Sequence, residues 1–307
     1  MSSIARLGAR RHVALLGAFL ALGLGAWFGS DRSAAAVRPG AHAAAAHPTV
    51  NVLYAGSLEN VMNNSIIPAF QRATGYQLNG YPAGSKELAQ EIKGGVRPAD
   101  VFISASAKVN KLLMGARNGN WVSWYVPFAT TSLVLGYNPN SSFAQQLRSK
   151  PWYEVVDQAG FRLGFTDPAL DPKGVLAVAA MKEAASRYDQ PALNQVATDQ
   201  SDLFPEEDLV GRLQSGQLDA GFFYTVEASA AKIKTVSLGP VKETAGYTVT
   251  VVNRANDETG GEQFIRFLLG PHGRSLLKAV GLTIDKAFKT AGSASQVPYL
   301  LRTVVKP

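Results

Sequence analysis

From residue 49 onward, short runs rich in β-branched and aromatic residues alternate with stretches whose apolar positions return every three or four residues. "TVNVLYA" over residues 49–55 predicts a buried strand. In "SLENVMNNSIIPAFQRATG", residues 57–75, Leu58, Val61, Met62, Ile66 and Phe70 fall near one stripe, which predicts a helix stopped by Gly75. Pro68 either kinks that helix or opens a second one. "YQLNGY" predicts the next strand, and "SKELAQEIKGG" a short helix with Ser85 as its N-cap. "ADVFISA" and "KVNKLLMGA" repeat the strand-then-helix order. This rhythm predicts an α/β fold with a parallel sheet.

Two neighbouring extended runs follow within residues 121–139. "FRLGFTDP", a helix over 174–189, "LDAGFFY" and "YTVTVVN" continue the pattern, and two C-terminal helices are broken at Gly270-Pro271. A body of about 260 residues favours two α/β lobes over one. Residues 125–132 offer one crossing between lobes, and residues 245–247 a return. The expected division is a leader over 1–46, a first lobe of 47–128 plus 247–307, and a second lobe of 129–246.

The leader changes the reading of charge. Arg6, Arg10 and Arg11 precede an uncharged apolar run over residues 13–29, then an Ala-rich stretch with cleavage options such as Ala41-His42-Ala43. That layout predicts an export signal, with a retained N-terminal anchor as the alternative and Arg10-Arg11 as a faint twin-arginine element. Residues 1–46 hold five of the 30 Lys and Arg and one of the 23 acids, so net charge falls from +7 to +3 without them. No basic helix or aromatic-basic interleaving remains to suggest a nucleic-acid partner. The chain has no cysteine, which excludes disulfides, thiol catalysis, cysteine zinc sites and a lipidated cysteine.

"YAGS" and "PAGS" place Ala-Gly-Ser at two strand-to-helix junctions, ending at Ser57 and Ser85. Ligands of open α/β sheets bind where strands end and helices begin. There the first amides of a helix attract anions, Gly56 and Gly84 allow close backbone approach, and a serine adds a hydroxyl. Both serines read equally as N-caps. Of four histidines only His272 lies in the body, so Ser57 lacks an evident base, and a serine hydrolase or a histidine metal site is disfavoured. Neither G-x-x-x-x-G-K-[ST] nor G-x-G-x-x-G is present.

"LYAGSL", "PAGSKELAQEIKGGVRPADVFISA", "WYVPFATTSLVLGYNP", "FRLGFTDPALDPKG" and "LQSGQLDAGFFYTVEASA" occur in the order seen in molybdate/tungstate-binding receptors of ABC importers, and the chain resembles their archaeal-type branch. The resemblance implies a type II periplasmic-binding-protein fold, two α/β lobes joined by two crossover strands around a ligand cleft. It implies no enzyme activity and no cofactor, a molybdate or tungstate ligand, a membrane permease as partner, and a monomer outside the cytoplasm. Ser57 and Ser85, with Gly56 and Gly84, match the family's oxyanion contacts on one lobe, and Asp171 and Tyr224 match those on the other. Asp171 has two alternatives, a direct ligand to the oxyanion's own metal or a cap on the helix that follows; Tyr224 has the alternative of a core aromatic. Two positions depart from the pattern. Phe223 replaces a glutamate, and Lys173 a common cysteine, which shifts the expected site from metal coordination toward simple anion binding. Lys173 is expected to be solvated, with anion contact as the alternative, and Glu227 to point away from the site. Sulfate and ferric iron remain alternative ligands.

Overall fold

The computed structural model describes residues 48–306; the segment read as an export signal lies outside them. The strands, in chain order, are β1 (Thr49–Ala55), β2 (Gln77–Ala83), β3 (Val101–Ser104), β4 (Trp124–Tyr137), β5 (Leu163–Thr166), β6 (Leu203–Phe204), β7 (Ala220–Tyr224), β8 (Lys234–Val236), β9 (Thr244–Val251), β10 (Thr283–Ile284) and β11 (Ala291–Gly292). Their main path runs β2-β1-β3-β9-β4-β7-β5-β6, while β8, β10 and β11 each pair with β4. The parallel pairing expected where strands and helices alternate is present, within a sheet that is mixed as a whole. β1 lies parallel to β2 and β3, and β5 parallel to β6 and β7, but β9 is antiparallel to both β3 and β4, and β7 to β4. The two strands that pass between halves of the molecule meet each other directly and need no helical crossover.

The two extended runs expected within residues 121–139 are a single strand, β4. Pro127 cannot donate to the ladder, and a register shift between Pro127 and Ala129 absorbs it, so the strand continues. Up to Ser132, β4 pairs with β9; from Leu133 it pairs with β7. Two α/β lobes thus share one long strand. Phe70 packs edge-on against Phe264, with ring centroids 5.3 Å apart, in the first lobe. Trp152 meets Phe222 in the same manner at 5.8 Å in the second. Such pairs add about 0.5–1.5 kcal/mol beyond area burial.

The helical path after β1 is continuous but uneven. A tight turn over Gly56–Leu58 leads through a wide turn at Met62–Ile66 into the helix Ile67–Thr74, where Pro68 falls in the first turn. The wide turn relieves the clash that the proline ring would make with the preceding carbonyl. Gly75, with φ of 77°, ends the helix in a left-handed conformation that favours glycine. The helices Ser85–Gly94, Pro172–Arg187, Glu258–Leu269 and Pro271–Ala279 follow the sequence pattern closely. Among the described residues, no helix is long and apolar enough to cross a membrane.

Candidate functional site

Both Ala-Gly-Ser junctions lie at the carboxyl ends of adjacent parallel strands, β1 and β2. Neither serine caps a helix with its side chain. Ser57 lies within the tight turn, and its hydroxyl pairs with the Tyr247 hydroxyl at 2.7 Å. Ser85 was expected at the N-cap, but Gly84 takes that position in an extended conformation, φ −58° and ψ 132°. Ser85 therefore falls one residue inside the helix, where its hydroxyl accepts from the Ala105 amide at 3.1 Å.

The free amides at the start of helix Ser85–Gly94 are answered from the opposite lobe. The Ser85 amide donates to Asp171 Oδ2 at 3.2 Å, and those of Lys86 and Glu87 to the Leu170 carbonyl at 2.9 and 3.1 Å. Lys86 Nζ adds a bond to the Pro168 carbonyl at 2.6 Å. Gly84 permits this approach, since a Cβ there would lie 2.8 Å from the Leu170 oxygen. Asp171 also caps helix Pro172–Arg187: its Oδ1 accepts from the Lys173 amide at 2.9 Å and from the Thr166 hydroxyl at 3.0 Å. One carboxylate thus serves two helix starts, one from each lobe.

Lys173 corrects the expectation of a solvated side chain. It is 0% exposed, and its ammonium donates to Glu206 at 2.9 Å and to both oxygens of Glu227 at 2.9 and 2.8 Å. The buried cation adds no free positive charge, because two carboxylates enclose it. Glu227, expected to point away, turns inward. It sits at the third position of helix Thr225–Ala230 and accepts from the Tyr224 amide at 3.3 Å, the reach of a capping glutamate. Phe223 packs with Leu209, Leu213, Leu218 and Ala228, and the Lys173 ammonium lies 5.5 Å from its ring centroid.

Tyr224 is 1% exposed, and its hydroxyl is a buried polar group without a partner. Its ring meets that of Tyr247 edge-on at 6.4 Å, and Lys173 Nζ lies 5.8 Å from its centroid. Ser57, Gly56, Tyr224 and Asp171 are therefore drawn into one cluster around Lys173, and Gly84 and Ser85 join it through Asp171. Glu206 and Tyr247 belong to it as well and were missed. The signals available were the paired acids of "FPEEDL" after a short strand, and a tyrosine at a buried alternation position of "YTVTVV".

Burial works against the Lys173 charge, but Glu206, Glu227 and Asp171 outweigh it and hold the ammonium above its ordinary pKa. Burial pushes Glu206 well above the usual carboxylate range; Lys173 pulls it down, while Glu227 and Asp171 push it further up. Burial likewise raises Asp171, against the pull of Lys173. The hydroxyls of Tyr224 and Tyr247 are held protonated, chiefly by burial. Two cavities flank the cluster. One of about 220 Å³ touches Gly56, Ser57, Glu206 and Glu227, and one of about 270 Å³ touches Gly84, Thr166, Asp171 and Glu206. Among the described residues, no group of three or more His, Cys, Asp and Glu is placed to hold a metal ion. His272 packs beside Phe267, with ring centroids 5.6 Å apart, and has no bond to Ser57.

A family described as bacterial extracellular solute-binding proteins matches residues 50–283. An uncharacterized solute-binding protein of Halobacterium salinarum is 26% identical over 325 residues, covering 94% of this chain and 96% of its own length. The molybdate/tungstate-binding protein WtpA of Thermococcus kodakarensis is 24% identical over 246 residues, 63% of this chain and 69% of that protein. The periplasmic molybdate-binding protein of Azotobacter vinelandii superposes with a TM-score of 0.58 at 18% identity, over 77% of this chain and all of its own.

Proposed function

This chain belongs to the bacterial extracellular solute-binding proteins, and from that premise we propose that it is an exported receptor capturing molybdate or tungstate for the permease of an ABC importer. Its fold is that of the type II periplasmic binding proteins, two α/β lobes joined by two crossover strands about a cleft. The family is extracellular, which sets the chain outside the cytoplasm. In this reading residues 1–46 direct export, the protein acts as a monomer, and the lobes comprise 47–128 plus 247–307 and 129–246.

The observation that carries the reading is the unpartnered Tyr224 hydroxyl, buried beside the Ser57–Tyr247 pair at the end of β1. A buried hydroxyl without a partner costs about 1–3 kcal/mol. An anion oxygen at the Gly56–Ser57 turn would supply the acceptor. Tyr224 and the hydroxyl-bonded pair of Ser57 and Tyr247 then offer neutral donors, while Asp171 of the other lobe closes on the helix start at Gly84 and Ser85. Capture by hydroxyls and amides rather than free cations suits a chain of low net charge. Permease recognition follows from closure, which fixes the relative position of the lobes.

Ferric iron fits less well, because Glu206 and Glu227, the carboxyls beside Tyr224, are already bonded to the Lys173 ammonium. Ser57 as a hydrolytic nucleophile lacks a base, since its hydroxyl partner is another hydroxyl. Calorimetric titration of residues 47–307 with molybdate, tungstate, sulfate and phosphate tests the proposal. Molybdate and tungstate are expected to bind most tightly. Failure of all four to bind overturns it, and sulfate binding as tightly as molybdate transfers it to a sulfate receptor.

A further inference from the structure

Glu206 stands where the two Ala-Gly-Ser starts meet. It lines both cavities of the cluster. Its Oε1 accepts from Lys173 at 2.9 Å. Its Oε2 faces Gly56 so closely that a methyl group at that position would run into the carboxylate. Glu227, by contrast, holds Lys173 with both oxygens and also takes the Tyr224 amide. Asp171 already accepts from Ser85, Thr166 and the Lys173 amide. Glu206 is thus the carboxyl with an oxygen left to face a ligand.

The charges around it do not balance. Lys173 is the single ammonium bonded to Glu206 and Glu227, and Asp171 adds a third carboxyl to the same buried cluster. Neither cavity is lined by a lysine or arginine; Glu59 and Glu207 border the first, and Glu87 and Glu207 the second. The hydroxyls of Tyr54, Tyr224 and Tyr247, which also feel Glu206, are protonated and neutral. A dianion entering here with every carboxyl ionised would meet net negative charge in a site of low dielectric.

We propose that Glu206 carries a proton in the anion-loaded site and donates it as a hydrogen bond to an anion oxygen, so that capture of a dianion takes up one proton from solvent. This rests on the oxyanion reading above. The Glu206 O–H bond forms as hydronium or the buffer acid gives up a proton, and no other covalent bond changes. The same donor sets selectivity. A fully deprotonated oxyanion needs only donors. A hydrogen-bearing anion such as hydrogen phosphate also needs an acceptor for its O–H, and a protonated Glu206 oxygen turned to it as a donor is not one. Burial and the neighbouring Glu227 and Asp171 raise the proton affinity of Glu206 against the pull of Lys173, and an arriving dianion raises it further, which agrees with this assignment.

The experiment uses residues 47–307 with molybdate as the probe, titrated calorimetrically between about pH 6.5 and 9.5 in paired buffers of different ionisation enthalpy. The binding constant of the wild-type protein is expected to fall on the alkaline side, approaching about tenfold per pH unit, with uptake approaching one proton per anion. Glu206→Gln keeps a donor and is expected to give a flat profile without that uptake. Infrared difference spectra on loading should show a carboxylic-acid carbonyl band in the wild type that the glutamine variant lacks; the wild-type spectrum needs no variant. Parallel pH profiles for the two proteins, or no carboxylic-acid band in the loaded wild type, overturn the proposal while molybdate binding keeps the receptor reading intact. Absence of binding at every pH overturns both.

Discussion

Replacing Lys173 by methionine removes the ammonium and keeps an unbranched side chain of similar reach, so the perturbation is chiefly electrostatic. The wild-type cation makes three contacts of 2.8–2.9 Å with Glu206 and Glu227, at 0% exposure. Breaking a buried ion pair from one side costs roughly 3–5 kcal/mol, because the partner charges are left uncompensated. For a chain near this size about 2–4 °C of melting temperature accompanies each kcal/mol, so the expected drop is about 6–20 °C. The sign with pH follows from the same contacts. Lys173 is the group that pulls both glutamates down against burial. Without it their folded pKa values rise further above the unfolded value. A carboxyl raised in this way lends its stability below the unfolded pKa and loses it as pH rises through the folded one. Lys173→Met should therefore be most harmful near pH 8 and milder near pH 5, by about 1–2 kcal/mol. Urea unfolding of the ligand-free protein at both pH values reads this directly, and adding Glu206→Gln and Glu227→Gln should recover most of the loss. A penalty below about 1 kcal/mol, equal at both pH values, would refute the view of Lys173 as the charge on which this lobe's face is assembled.

Three further substitutions separate stability from capture. Tyr224→Phe deletes a hydroxyl that has no partner, so ligand-free stability should hold or rise, while molybdate affinity falls about tenfold or more; equal affinity in calorimetry would remove Tyr224 from the site. Gly84→Ala keeps an allowed backbone but sets a methyl 2.8 Å from the Leu170 carbonyl. Overpacking of about 1–3 kcal/mol then opposes closure, so affinity should fall roughly tenfold and solution scattering should show a more open liganded form. Asp171→Ala removes one cap and the acceptor for Ser85 and Thr166, and should cost about 2–3 kcal/mol in unfolding experiments, with Asp171→Asn milder.

What could be read in advance was local. A glycine before a serine at a strand end marks a tight helix start wherever it occurs, and Gly56 and Gly84 lie at such starts. The α/β alternation and the broken C-terminal helix pair were equally plain. Lys173 was not, because its burial depends on Glu206 and Glu227, 33 and 54 residues further along. No window around residue 173 contains them. Glu227 was a different kind of miss. It should point away if Ala228 and Phe223 share a face, and those two do pack together, but the capping geometry of the helix it belongs to turns it back to Tyr224. The three-residue spacing of Tyr224 and Glu227, that of a helix start and its capping glutamate, held that information. The antiparallel placement of β9 escaped notice because alternation of strands and helices describes sequence neighbours, and β9 pairs with strands far upstream.

The seat of β9 between β3 and β4 also governs the order in which the molecule can be completed. A chain growing from its amino end has β1, β2 and β3 in hand by Ser104 and all of β4 by Tyr137, yet the strand joining β3 to β4 begins only at Thr244. Until then the facing edges of β3 and β4 are left open, and unpaired edges recruit other strands. The second lobe has no such delay, since β5, β6 and β7 are all made by Tyr224. A nascent or truncated product ending before Thr244 should therefore hold one finished half and one unfinished half, the latter sensitive to protease and to holdase chaperones. Synthesis of eight further residues supplies the missing strand.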